Sequence, residues 1–195
     1  MTYDERLRIK AWVDTNNRSY HYSYDHSDRC VREGGEAGHI SISLEYDIAD
    51  PTWPDCRITT LTTAEQAVSH FVINGNSQVI AEIDPLGGLV RTEYDYHHQT
   101  VARTDELGYR TEFDLNDLGQ VLTATRFDGR ETRVEYNRLG LPERLVGYDG
   151  EAHSWTYDES GNQLSATYPA GGTTRYRYDD TGCLASVTDA VSLSQ

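Results

Sequence analysis

From residue 73 onward, six-residue runs alternate between apolar or hydroxyl side chains and charged ones. Thr111, Phe113 and Leu115 form one set, Thr132, Val134 and Tyr136 another, and Thr174, Tyr176 and Tyr178 a third; Glu112, Glu135, Arg175 and Arg177 fall between them. A period of two places each set on one face of a strand and the charged residues on the other. The last residue of each run recurs every 21 positions, as Ile73, Tyr94, Leu115, Tyr136, Tyr157 and Tyr178. Gly119, Gly140, Gly161 and Gly182 follow four residues after an anchor, and Gly87, Gly108, Gly129, Gly150 and Gly171 fourteen residues after one. Two glycine series with one period imply one unit copied along the chain. No stretch has helical period. The expected fold is an all-β, antiparallel β-hairpin repeat array of about 21 residues per unit.

Each unit contains two turns. The residue after the anchor is Asp or Asn (Asp95, Asp158 and Asp179 beside Asn137), whose side chain can accept backbone N–H groups further round the turn. Glycine then takes the left-handed position that lets a twisted hairpin close. The second turn varies more, as in Asp84-Pro85-Leu86-Gly87, Asp105-Glu106-Leu107-Gly108 and Asp128-Gly129.

The expected organisation has three parts. Residues 1–72 hold irregular repeats, in which Tyr3, Tyr24 and Tyr46 still precede Asp4, Asp25 and Asp47 and Gly38 keeps the second glycine position. A loop insertion near 48–60, with Pro51, Trp53, Pro54 and Cys56, widens one interval to 27 residues and maps to a rim of the sheet. Residues 73–189 are regular, and 190–195 form a non-repeat tail.

Hydrophobic residues make up 37% of the chain, yet 14 tyrosines supply large apolar faces with polar tips that suit half-buried sheets. A net charge of −15 argues against nucleic acid or an anionic membrane as partner. No run of apolar residues is long enough for a membrane-inserted helix. The first residues lack the features of a signal peptide, which implies synthesis in the cytoplasm, with any export through a larger secretion system. Cys30, Cys56 and Cys183 are odd in number and irregular in spacing, as free thiols are.

Tyr178-Asp179-Asp180-Thr181-Gly182-Cys183-Leu184 and Thr104-Asp105-Glu106-Leu107-Gly108 resemble the RHS or YD repeat, and the resemblance covers nearly the whole chain. In that family long arrays spiral into a hollow β-shell around a C-terminal toxin, in bacterial Rhs proteins and insecticidal toxin complexes; carbohydrate binding has also been proposed for the repeat. The resemblance implies part of such a spiralling shell, a non-catalytic segment that encapsulates or presents a toxin or effector in interbacterial competition. Its implied partners are further YD-repeat polypeptide, an enclosed toxin domain, or both. A carbohydrate- or cell-surface-binding module, with a glycan as ligand, is the alternative. The paired Asp-Pro-x-Gly sequences of the family's self-cleaving segment are not matched, since Asp84-Pro85-Leu86-Gly87 is a single copy at an ordinary turn.

A size estimate points to a fragment. Strands spaced about 4.8 Å apart, roughly eighteen of them, would roll into a cylinder of about 14 Å radius, or about 9 Å inside the side chains. A folded toxin of about 100 residues needs about 17 Å. Terminal strands of such a piece should expose unpaired edges that invite self-association or capture of a partner.

No catalytic, cofactor or metal site is expected. His97 and His98 are adjacent and on a strand would point to opposite faces, and His98 stands in a glycine slot. His21, His26 and Cys30 lack ligand spacing. Asp114-Leu115-Asn116-Asp117 resembles the start of a calcium loop, but Thr125 stands where the bidentate Glu belongs. No nucleophile elbow occurs, and the carboxylates recur with the repeat instead of forming one singular pair.

Overall fold

A computed structural model describes residues 1–38 and 40–189; the non-repeat tail expected at 190–195 lies outside the described residues. The described chain is all-β, with eighteen strands and one short 3-10 turn at Glu36–Gly38. It divides into two compact units, one of residues 1–93 with 103–108, the other of 94–102 with 109–189 among the described residues. The division near residue 93 is a separate property from the change in sequence regularity at residue 72.

In the first unit the strands are β1 (Thr2–Tyr3), β2 (Ile9–Val13), β3 (Ser19–Tyr24), β4 (Cys30–Gly35), β5 (Ile42–Ile48), β6 (Arg57–Thr63), β7 (Val68–Ile73), β8 (Val79–Ile83) and β9 (Leu89–Tyr94). Each pairs antiparallel with the one before it. β10 (Thr100–Thr104) contributes residues to both units. In the second unit β11 (Arg110–Leu115), β12 (Val121–Thr125), β13 (Glu131–Tyr136), β14 (Pro142–Val146), β15 (Ala152–Tyr157), β16 (Gln163–Thr167), β17 (Thr173–Tyr178) and β18 (Leu184–Asp189) form the same meander. From β7 to β17 each repeat contains one six-residue strand ending at the anchor and one five-residue return strand.

At each anchor of the second unit the register slips, so that Leu115 faces Val121, Tyr136 faces Pro142, Tyr157 faces Gln163 and Tyr178 faces Leu184. That slip is a β-bulge, the geometry produced when a type I turn is followed by one left-handed residue. The anchor face of the sheet carries rows such as Trp155–Ala166–Thr174, with Ala166 and Thr174 only 2% and 7% exposed. On the other face Glu112, Asp114, Arg133, Glu135, Arg175 and Arg177 are exposed.

The first unit reverses this pattern at one place. Val72, directly before anchor Ile73, is fully buried in the row Ile58–Val72–Ala81, on the face that elsewhere carries charge. Trp53, from the loop between β5 and β6, packs on this row together with Ile48 and Cys56. Arg91, the next residue of the row after Ala81, lies with its guanidinium 5.7 Å from the Trp53 ring. The inserted residues thus fold over the sheet face and form a small core there.

Candidate functional site

The recurring rim of the hairpins is where the polar side chains of this fold converge. At the turn after each anchor the chain closes a five-residue loop. Asp95 N–H reaches the Gln99 carbonyl at 2.9 Å, and His98 N–H reaches the Asp95 carbonyl at 3.1 Å. The head residue's Oδ1 then accepts two more backbone N–H groups: His97 and Gln99 on Asp95, Leu139 and Leu141 on Asn137, Ser160 and Asn162 on Asp158. Only a short side chain with an oxygen at that distance can do this, which is why Asp and Asn alternate there. The Asn162 side-chain amide and backbone N–H hold the Asp158 carboxyl below its usual value, and the Thr181 hydroxyl with the Cys183 N–H does the same for Asp179.

Turn glycines Gly87, Gly108, Gly119, Gly129, Gly140, Gly150, Gly161, Gly171 and Gly182 all have φ between 73° and 86°, the left-handed region. At Gly119 a second constraint acts, because the Gln99 amide nitrogen lies 2.8 Å from where a Cβ would stand. The second turn has the same hydrogen-bond frame as the first. Gly150 N–H meets the Gly147 carbonyl at 2.9 Å and Gly171 N–H meets the Tyr168 carbonyl at 2.8 Å. Its sequence varies more: Asp84 and Asp105 head it with Oδ1 accepting the N–H of Leu86, Gly88 and Leu107, whereas in the next three repeats the head is Arg126, Gly147 or Tyr168, without such an acceptor. Asp128 and Asp149, two residues further on, take the N–H of Arg130 and Glu151 instead.

Anchor tyrosines have a role that sequence reasoning missed. The hydroxyl of Tyr136 donates to the Val121 carbonyl at 3.0 Å, that of Tyr157 to Pro142 at 2.8 Å and that of Tyr178 to Gln163 at 3.0 Å. In the first unit Tyr24 reaches the Ile9 carbonyl at 2.8 Å and Tyr46 that of Cys30 at 2.7 Å. Each acceptor is the first residue of the preceding return strand, beside the bulge, where the ladder leaves a carbonyl short of a partner. The tyrosine is a latch between successive hairpins. Its only sequence signal is the position of the acceptor, about fifteen residues back.

The first unit adds charge to this latch. Arg8 pairs with Asp4 at 2.7 Å and Asp28 at 2.6 Å while lying 4.4 Å from the centre of the Tyr24 ring. Arg29 repeats the arrangement with Asp25, Asp47 and Tyr46. In the regular repeats an amide occupies this place: Gln120 accepts from the Asn116 side chain and donates to the Gly140 carbonyl.

Other chemistry-bearing groups do not assemble. Among the described residues no three His, Cys, Asp or Glu side chains converge as metal ligands would. Ser19 donates its proton to Glu36 at 2.7 Å with the His21 ring 3.2 Å away, so the hydroxyl is tied to a carboxylate and not to a base poised to activate it. His98 occupies a left-handed turn position with φ 65°, and His97 lies against the Tyr96 ring. All three cysteines are free thiols. Exposed rings on the second-turn rim are engaged with their neighbours. Tyr109 stacks on Phe127 at 4.1 Å, and Arg126 and Arg130 each lie 4.8 Å from the Tyr148 ring. Among the described residues no helix is long and apolar enough to cross a membrane.

The fold and its rims define an antiparallel hairpin-repeat array. Residues 157–191 match the RHS repeat family, and the same turn and bulge recur in the other repeats of the second unit among the described residues. No curated protein matches the sequence. Solved structures with this fold include TcdB2-TccC3 without its hypervariable C-terminal region, at 16% identity and a TM-score of 0.62 over 88% of this chain and 10% of that one. TcdB2-TccC3-TEV matches at 16% identity and 0.63 over 90% and 10%. The Tc holotoxin pore of Photorhabdus luminescens, carrying a TccC3 mutation, matches at 13% and 0.60 over 97% and 11%. The chain thus spans about a tenth of the length of these chains, and at such identities the likeness is one of fold.

Proposed function

We propose that this chain is a non-catalytic stretch of the wall of an Rhs-type shell, serving to enclose or present a toxin or effector. The observation that carries the reading is where the repeat directs its polar groups. Aspartates, asparagines and tyrosines that would be candidates for chemistry are committed to closing turns and latching one hairpin to the next. Such a repeat is suited to holding a sheet together, with its polar side chains spent on turns and latches. One similar structure is described as lacking a hypervariable C-terminal region, which supports placing arrays of this fold beside variable cargo.

The test is mass spectrometry of what co-purifies with the tagged chain from its native cells. Further YD-repeat polypeptide, or a toxin domain, is the expected companion. A chain recovered alone from an otherwise intact lysate overturns the proposal.

A further inference from the structure

The face of the second unit opposite the anchors changes character between β14 and β15. Over β11–β14 it carries Glu112, Asp114, Glu131, Arg133, Glu135 and Arg144. Arginines there are paired, Arg133 with Glu131 at 2.6 Å and Arg144 with Glu135 at 3.3 Å. From β15 onward the rows on that face read Ser154–Thr167–Thr173, then Thr156–Ser165–Arg175–Thr188, then Arg177–Ser186. These rows hold hydroxyls and two guanidiniums and no carboxylate. The acids of this region lie elsewhere. Asp158 and Asp179 close turns at the rim, with Glu159 and Asp180 beside them, and Asp189 accepts the Thr174 hydroxyl on the anchor face.

Arg175 and Arg177 are both exposed, and among the described residues neither has a carboxylate within ion-pair distance. β17 is paired on both sides, by β16 and β18, so this exposure belongs to a sheet face and not to an edge. In a chain of net charge −15, whose Arg8, Arg29 and Arg130 each hold a carboxylate, two neighbouring guanidiniums without one stand out. The hydroxyls around them pair among themselves, Thr156 with Ser165 at 2.7 Å and Thr167 with Thr173 at 3.1 Å. In each pair one hydroxyl donates to the other, which leaves the second proton free to be given outward.

We propose that the β15–β17 part of this face is a docking surface for an acidic, extended polypeptide segment whose carboxylates recur at every second residue. Arg175 and Arg177 are two residues apart on one strand, about 6.7 Å, which is also the repeat of side chains along one face of an extended partner. Each guanidinium can take one carboxylate through two parallel hydrogen bonds, and the hydroxyl rows receive the polar groups between them. A sheet face suits a chain laid along it, whereas a small molecule needs a concave site. At physiological salt the Debye length is about 8 Å, so a segment on this face is governed by the nearby guanidiniums more than by the acids of β11–β14. This surface does not depend on the chain's being part of a wall.

The experiment uses the full chain at physiological salt and a fluorescent peptide alternating Glu and Thr over one strand length, read by anisotropy. Saturable binding is expected, with a clear loss of affinity for a peptide of the same composition in which the Glu residues are grouped. A Lys/Thr alternating peptide should not bind. Arg175→Gln combined with Arg177→Gln should weaken binding about tenfold, since two charge-assisted contacts are lost. Arg133→Gln combined with Arg144→Gln should leave it unchanged, because those guanidiniums are already paired. Absence of saturable binding, or equal affinity for the alternating and grouped peptides, overturns the proposal without relying on any variant. So do equal effects of the two double variants, and so does tighter binding of a single-stranded oligonucleotide than of the acidic peptide. Co-purification from native cells reports separately on the wall reading, which a failed peptide titration would leave in place.

Discussion

The two units close the same hairpins with different residues. In the first, Leu7, Asn17, Asp28, Gln66 and Ser77 share the left-handed turn positions with Gly87 and Gly108, while in the second every such position from Gly119 to Gly182 is glycine and only His98 departs. A non-glycine residue there crowds its Cβ against the carbonyl and costs about 1–2 kcal/mol. The first unit carries that cost together with a compensating set of contacts. Arg8 and Arg29 bind carboxylates of two neighbouring turns and cover the latch tyrosine, and Trp53 with Val72 forms a core that the second unit lacks. Regular sequence is therefore one way to build this array, and tertiary contacts are another.

The core offers the sharpest way to break the comparison. Val72→Glu, which places in the first unit the residue type found at the equivalent Glu135, should destabilise it by about 4 kcal/mol because an unpaired carboxylate would be buried. Glu135→Val on the exposed face should change stability by less than about 0.5 kcal/mol. Denaturant melts of both variants check the pair, and equal effects would remove the distinction between the two faces.

Turn positions come next. Gly140→Val should cost about 2 kcal/mol, since a β-branched residue is poorly tolerated at its φ of 73°. Leu7→Gly should instead raise stability by about 1 kcal/mol. If both substitutions destabilise, Leu7 is making contacts that outweigh its strain.

The latch is smaller. Tyr157→Phe keeps the ring and removes only the bond to Pro142, for an expected loss of about 1 kcal/mol. Leu115→Tyr would supply a hydroxyl to the one regular repeat of the second unit whose anchor has none, and the melting temperature should rise slightly.

The mildest contrast is with pH and salt. The Arg29 backbone N–H and guanidinium hold the Asp25 carboxyl below its usual value. A carboxyl depressed in the folded state contributes stability that is complete above its unfolded value near 3.8 and is lost as pH falls through the folded value. Asp158 and Asp179 act in the same direction, whereas the turns headed by Asn74, Asn116 and Asn137 do not titrate. Acid titration monitored by circular dichroism should show a shallower loss for Asp25→Asn, and that variant should also be less sensitive to salt.

Much of this architecture was legible from residues alone. Alternation in Thr132-Arg133-Val134-Glu135-Tyr136 assigns a strand and its two faces, and the spacing of Tyr136 and Gly140 assigns the turn, because both depend on backbone geometry within a few residues. The sequence likewise marked the 48–60 segment as inserted, but not where it goes. Trp53 meets Val72 and Ala81 only because the register brings β6, β7 and β8 side by side, and that register turns a face charged elsewhere into a buried one. Similarly, a tyrosine read as a good sheet residue becomes a latch once a bulge on the preceding hairpin leaves a carbonyl within reach of its hydroxyl. Local period and turn chemistry determined the repeat. Contacts between strands decided what the tyrosines and the insertion do, since each needs a partner that only strand pairing brings near.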